Sequence, residues 1–194
     1  MTYAITRLSG LPSNRVIGTG TSLDTARLRC ILAEKCRVNV CDIDAYICGE
    51  HGDSQVTAWS GVSIGGEPLA DFIERSGEPI DLDQNEIDTA VRTAGAEIIK
   101  RKGATFYGVA SATSRIVEAI QHDLRAVLPV SHILPSEFDS LAGMSLSLPC
   151  IIDHTGIVRT ISIGMTSDEK EQLNSAASRL RTFISDVLPE LPVD

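Results

Sequence analysis

Apolar positions along this chain follow two kinds of spacing, and each kind predicts a different element. Over Ser22 to Lys35, Leu28 and Leu32 stand four apart among Leu23, Ala26, Ile31 and Ala33, the period of a helical face. The same period in Ile87, Val91, Ala94, Ile98 and Ile99 predicts a long helix over Asp83 to Lys102, and its basic end, Lys100-Arg101-Lys102-Gly103, suits the negative pole of a helix. Val109, Ile116, Val117 and Ile120 predict a second long helix over Phe106 to Asp123. Thr166-Ser167-Asp168-Glu169 opens a last helix, with Thr166 or Ser167 as N-cap, that runs to about Leu188 before Pro189 and Pro192. Met1 to Leu11 reads as a short helix with Ile5 and Leu8 on one face, ended by Gly10 and Pro12. It has no cap of its own, so the chain is expected to begin inside an element.

Between these helices the apolar residues run together over shorter spans bounded by turn residues. They predict strands over Asp42 to Cys48, Gln55 to Ile64, Ala126 to Leu134, Leu146 to Asp153 and Ile157 to Ile163, with a brief extended piece at Arg15 to Ile17. Gly65-Gly66 and His154-Thr155-Gly156 are the turns, and Pro68 to Ser76 is a short helix or loop. Strands adjacent in sequence and joined by tight turns, beside strongly periodic helices, predict an α+β fold with mostly antiparallel sheets packed against long helices. Gly18-Thr19-Gly20 before the first long helix imitates a dinucleotide-binding fingerprint, but the third glycine is absent and Asp42 and Asp44 follow a cysteine-rich turn, so that reading is rejected.

Composition narrows the class. The 194 residues are 43% hydrophobic and 22% charged, enough for a real core, and the net charge of −9 gives no counterion-release gain on nucleic acid. No apolar run has bilayer length, and Met1 to Gly10 holds no signal-peptide core, so no membrane partner is expected. Five irregularly spaced cysteines, Cys30, Cys36, Cys41, Cys48 and Cys150, argue for a reducing, cytoplasmic compartment over a disulfide framework. Cys36 and Cys41 lack the second pair of ligands a metal site needs, so no metal is expected.

The chemistry concentrates in Gly49-Glu50-His51-Gly52-Asp53-Ser54, where a histidine sits among small residues between two apolar runs. An imidazole is the side chain best matched to moving protons near neutral pH. Upstream, Asp24 and Arg27 stand three apart and share a helix face. In one reading Asp24 completes a capping box with Thr21 and Arg27 is solvated. In the other, Asp24 accepts from one nitrogen of His51, and Arg27 offers its planar fork to a substrate carboxylate. That trio suits removing or adding the proton of a hydroxyl beside a carboxylate.

Leu8-Ser9-Gly10-Leu11-Pro12, Val16-Ile17-Gly18-Thr19-Gly20-Thr21, Leu23-Asp24-Thr25-Ala26-Arg27-Leu28-Arg29 and Gly49-Glu50-His51-Gly52-Asp53-Ser54 resemble successive motifs of the L-lactate/malate dehydrogenase family. The resemblance continues through Ile64-Gly65-Gly66-Glu67-Pro68-Leu69 and Lys102-Gly103-Ala104-Thr105 and covers essentially the whole chain. It implies that His51 is the general acid/base, Asp24 its partner, Arg27 the clamp on the substrate carboxylate and Thr105 a wall of the substrate pocket. Thr105 is also a candidate N-cap of the following helix. As lactate-type members carry threonine there, the resemblance implies L-lactate to pyruvate interconversion ahead of malate chemistry, with NAD as cofactor.

Family members carry an N-terminal Rossmann half that holds the nicotinamide and a mobile-loop arginine, and no such half is visible here. The expected organisation is therefore residues 1–20 as a remnant of the inter-domain segment and 21–194 as the substrate-binding and catalytic domain. Such a chain is expected to be inactive alone, because hydride transfer needs the nicotinamide positioned against the substrate. Its partners would be a small 2-hydroxy or 2-oxo acid and further copies of itself. Some bacterial lactate dehydrogenases bind fructose 1,6-bisphosphate through an Arg and a His at a subunit interface. Arg29 matches the first position, but Asp44 occupies the second and would repel phosphate, so no such activation is expected. The rivals are a malate dehydrogenase half, a non-catalytic assembly module or fragment, and a metal-dependent glycosidase of similar architecture, which lacks its metal ligands here.

Overall fold

A computed structural model describes residues 1–188 and 190. Pro189 and Pro192, expected to close the last helix, lie outside the described residues. The elements in order are α1 (Thr2–Ser9), α2 (Ser22–Cys36), β1 (Ile43–Asp44), β2 (Ile47–Cys48), β3 (Val56–Thr57), β4 (Ser63–Ile64), β5 (Glu67–Pro68) and α3 (Leu69–Arg75). They continue as α4 (Gln84–Lys102), α5 (Tyr107–Gln121), β6 (Ala126–Ile133), β7 (Ser145–Asp153), β8 (Gly156–Thr160) and α6 (Ser167–Val187). The strands form three sheets, β6-β7-β8, β1-β4-β5 and β2-β3, and every ladder among the described residues is antiparallel. The α+β architecture expected from the sequence is the one observed.

α2 is the central helix. Leu28 and Leu32, four apart, are fully buried and pack with Ile43, Ile47, Ile87 and Val91, each leucine contributing about 2 kcal/mol of apolar burial. A second cluster lies under α6, where Leu173, Ala177 and Ile184 meet Cys48, Leu146 and Leu148. α6 starts with the full capping box: Thr166 accepts from Glu169 N, and Glu169 reaches back to Thr166 N. Asp83 caps α4 through Asn85 N and Glu86 N.

Two strands expected as continuous are broken. Residues 42–48 divide into β1 and β2, which join different sheets. Side chains of α2 capture the backbone there: Arg29 Nε donates to Ala45 O at 3.0 Å and Ile47 N donates to Thr25 Oγ1 at 3.0 Å. Residues 55–64 divide around a 3-10 turn at Trp59–Gly61, where Asp88 on α4 accepts from Thr57 Oγ1 and Trp59 Nε1. The stripe on α4 is buried only over its first half, at Ile87 and Val91, while Ile98 and Ile99 are exposed. On α1 the buried positions are Tyr3 and Thr6, and Ile5 and Leu8 face outward. Thr105 does not cap α5, because the N-cap is Phe106 and no side chain closes that end.

The β6-β7 hairpin positions both halves of the candidate site. Pro129 and Pro149 oppose each other in its ladder without wasting a donor. Their carbonyls point away from the shared edge, to Ser22 Oγ at 2.7 Å and Ile161 N at 2.7 Å. Cross-strand partners Ser131 and Ser147 form isolated bridges outward, Ser131 with Gly18 and Ser147 with Gly49. One hairpin thus holds both the approach to α2 and the approach to His51.

Candidate active site

The mount is built from hydroxyls. Thr21 does not act as a side-chain cap of α2. Its hydroxyl donates to Ile47 O, and Ser147 Oγ accepts from Thr21 N at 3.1 Å and lies 2.8 Å from Thr21 Oγ1. Thr25 holds Ile47 N one turn later. α2 is therefore tied to β2 at two levels, and β2 runs directly into Gly49-Glu50-His51. The capping-box reading of Thr21 and Asp24 is overturned by these bonds, which leave the Asp24 carboxylate free to face the turn.

Asp24 is 1% exposed. Its Oδ2 meets His51 Nδ1 at 2.6 Å, and its Oδ1 accepts from Arg27 Nη1 at 3.1 Å. Both oxygens of this buried carboxylate are thus engaged, one by an imidazole and one by a guanidinium. His51 stays open, with its side chain 63% exposed. The hydrogen bond it donates to Asp24 raises its pKa above the ordinary histidine value, against partial desolvation and Arg27, which lower it. With Nδ1 committed to Asp24, the tautomer is fixed and Nε2 is the nitrogen left for a ligand.

His51 lines two open clefts. One, about 440 Å³, has Glu50, Asp53, Ser54, Arg179 and Phe183 among its walls. The other, about 460 Å³, is bounded by Gly18–Gly20, Gly49, Leu180 and Phe183. Glycine backbone and apolar side chains form most of that second cleft beside the imidazole. A phosphate cradle at the start of α2 does not fit: Thr21 N is taken by Ser147 and Ser22 N by Thr19 O. The glycines there serve packing, since a Cβ on Gly20, whose φ is +51°, would stand 2.7 Å from Ser131 N. The rejected dinucleotide fingerprint thus has a structural explanation.

The structure brings His51, Asp24 and Arg27 together. Thr105 lines a different cleft, of about 460 Å³, with Arg101, Lys102, Phe106 and Tyr107. Arg29 is turned to Ala45 O and lies over the Tyr46 ring, while Asp44 is exposed. Sequence reasoning missed Arg179, a cation in the His51 cleft 128 positions downstream, for which no spacing rule exists. Asp123, on the loop between α5 and β6, and Asp153 and His154, at the β7–β8 turn, gather potential ligand atoms within 4.8 Å of one another, with His154 already bonded to Asp123 across the two loops and Asp153 accepting from Thr155 N.

Residues 21–190 match the family model described as lactate/malate dehydrogenase, alpha/beta C-terminal domain. The chain is 40% identical over 194 residues to an L-lactate dehydrogenase of Lacticaseibacillus casei, covering 100% of this chain and 59% of that protein. It is 42% identical over 191 residues to an L-lactate dehydrogenase of Pediococcus acidilactici, covering 98% and 58%. A crystal structure of a lactate dehydrogenase enzyme from a Medee basin deep-sea metagenome library superposes with a TM-score of 0.91 at 37% identity, over 95% of this chain and 59% of that one. A minor L-lactate dehydrogenase from Enterococcus mundtii, in its ligands-bound form, gives 0.85 at 39% identity, over 96% and 59%. The chain thus spans about 59% of the length of these relatives. With the motifs, the fold and the family match in agreement, this chain belongs to the lactate/malate dehydrogenase family and carries its alpha/beta C-terminal domain.

Proposed function

We propose that this chain is the catalytic half of an NAD-dependent L-2-hydroxy acid dehydrogenase that interconverts L-lactate and pyruvate. The observation that carries the reading is the 2.6 Å contact between His51 Nδ1 and a carboxylate that is itself buried and braced by Arg27. In the direction of reduction, protonated His51 donates from Nε2 to the developing alkoxide, and Asp24 stabilises the imidazolium before the transfer. In oxidation the neutral ring takes the hydroxyl proton. Arg27 releases part of its hold on Asp24 to grip the substrate carboxylate through its fork. Bound NAD supplies the hydride acceptor and donor, and its flat headgroup would rest against Gly18–Gly20 and Phe183.

In this reading residues 21–194 form the substrate domain and residues 1–20 the inter-domain segment, and most of the dinucleotide is held by a separate Rossmann domain. Thr105, which opens on the cleft beside Phe106 and Tyr107, is assigned to a wall of the substrate pocket. The exposed apolar residues Phe106, Tyr107, Val109 and Val117 on and before α5 suit a contact between copies of the chain. Fructose 1,6-bisphosphate activation is not part of the reading, since Asp44 is exposed beside an Arg29 that is already engaged.

The test mixes the chain with NADH and pyruvate, first alone and then with a separately expressed Rossmann half of a relative, and follows NADH absorbance. The expected result is turnover only in the mixture. Turnover by the chain alone would overturn its assignment as a half that needs a partner. Equal turnover by a His51→Asn mixture would overturn the role of His51.

A further inference from the structure

Two of the five cysteines are exposed, Cys30 on α2 and Cys41 in the 3-10 turn Val40–Asp42. The other three are buried, and burial pushes the Cys48 thiol up to about 12 and the Cys150 thiol up to about 11. Those two stay protonated and out of thiol chemistry. The two exposed thiols share a cleft of about 510 Å³, bordered also by Ala26, Arg29, Val40 and Arg115.

Three hydrogen bonds lay the segment that carries Cys41 along the helix that carries Cys30. Val38 N donates to Ala33 O at 3.1 Å, Arg29 Nε to Ala45 O at 3.0 Å, and Ile47 N to Thr25 Oγ1 at 3.0 Å. Residues 38–47 are therefore tied back along α2, first at Ala33, then at Arg29 and Thr25, with Cys41 between the first two ties and Cys30 beside the second.

We propose that Cys30 and Cys41 form a reversible intramolecular disulfide, a thiol switch that ties α2 to the segment leading into His51. α2 carries Asp24 and Arg27, and the chain from Cys41 passes through β1 and β2 to Gly49 and His51. The bridge joins the two elements that hold the imidazole and its carboxylate. It requires an oxidant of the peroxide class. One thiolate attacks a peroxide oxygen, an S–O bond forms, the O–O bond breaks and water leaves. The second thiol attacks the sulfenic sulfur, the S–S bond forms, the S–O bond breaks and a second water leaves. Both sulfurs are oxidised and the peroxide is reduced to two waters. A small thiol of the glutathione class reverses the bond by exchange, as for the redox-sensing disulfides of reducing compartments.

The test treats the chain with hydrogen peroxide under native conditions and records its intact mass and an unreduced peptide map. The expected result is a loss of about 2 Da and a Cys30–Cys41 linked peptide pair, both reversed by dithiothreitol. Cys30→Ser and Cys41→Ser should each abolish the linked pair. A link between other cysteines, a link between two chains, or stepwise oxygen gain without a link would overturn the proposal. The map of the unsubstituted chain decides the matter even if a serine variant fails to fold.

Discussion

The described residues contain two histidine–aspartate pairs of nearly the same geometry, and they differ in the burial of the acid. His51 Nδ1 lies 2.6 Å from Asp24, and His154 Nδ1 lies 2.8 Å from Asp123. Both histidines are exposed, on turns that also contain glycine, and in both pairs the carboxylate hydrogen bond is the largest influence raising the histidine pKa. The difference is in the acid. Asp24 is buried and shared with Arg27, whereas the Asp123 side chain, on the loop between α5 and β6, is 56% exposed. Water screens the second pair and cannot reach the carboxylate of the first. A short contact therefore does not make a site. Burial of the partner does, together with a cleft for the free nitrogen.

The largest expected effect breaks the comparison at the imidazoles. In the enzyme reconstituted with a Rossmann half, His51→Asn should lower kcat by about 10²–10⁴-fold. His154→Asn should stay within about twofold, as an exposed substitution far from the chemistry. Steady-state NADH oxidation checks both.

A second test removes the seat under the buried acid. Leu28→Ala, at a fully buried position one turn from Asp24, should cost about 2–5 kcal/mol of stability. Val158→Ala, on the half-exposed strand beside the His154 turn, should cost about 0.5 kcal/mol or less. Urea unfolding of the two variants measures the gap.

The smallest effect sharpens the comparison through pH. Because the folded midpoint of His51 is raised, its stabilising contribution is complete below the unfolded value of about 6.5 and fades as pH rises through the raised midpoint. NMR titration should show the His51 midpoint falling in Asp24→Asn, and the His154 midpoint falling in Asp123→Asn. Added salt should lower the second midpoint more than the first. A His51 midpoint below that of a free histidine would contradict the pairing with Asp24. His132 works in the opposite sense. Buried on β6 against Thr160 Oγ1 at 2.8 Å, it is pushed down to about 4 by desolvation. Its contribution is present above about 6.5 and is lost as pH falls toward about 4.

The trio at the site was legible in the sequence because its members lie in short, recognisable strings. The spacing of Asp24 and Arg27 put them on one helix face, and the same trio is implied by the resemblance. The burial that separates Asp24 from Asp123 was not legible, because it comes from Thr21, Ile47 and Ser147 meeting across the fold. Helix patterns carried well except where exposure decides. Ile98 and Ile99 keep the period of α4 yet face outward, since periodicity reports a stripe and not what covers it. Strand lengths carried poorly, because Thr25 and Arg29 take backbone bonds that a ladder would otherwise use. Thr105, placed on the substrate pocket by the resemblance alone, opens on a cleft with Phe106 and Tyr107, and nothing local could have located that boundary.

The hydroxyl bonds beneath the dyad face no cleft. Thr21 and Thr25 set the separation of carboxylate and imidazole from inside the protein, while Phe183, Arg179 and Leu180 form walls outside it. Mutations that reshape those walls leave the proton-transfer spacing untouched. A descendant of this chain could acquire differently shaped walls while inheriting the histidine–carboxylate geometry intact.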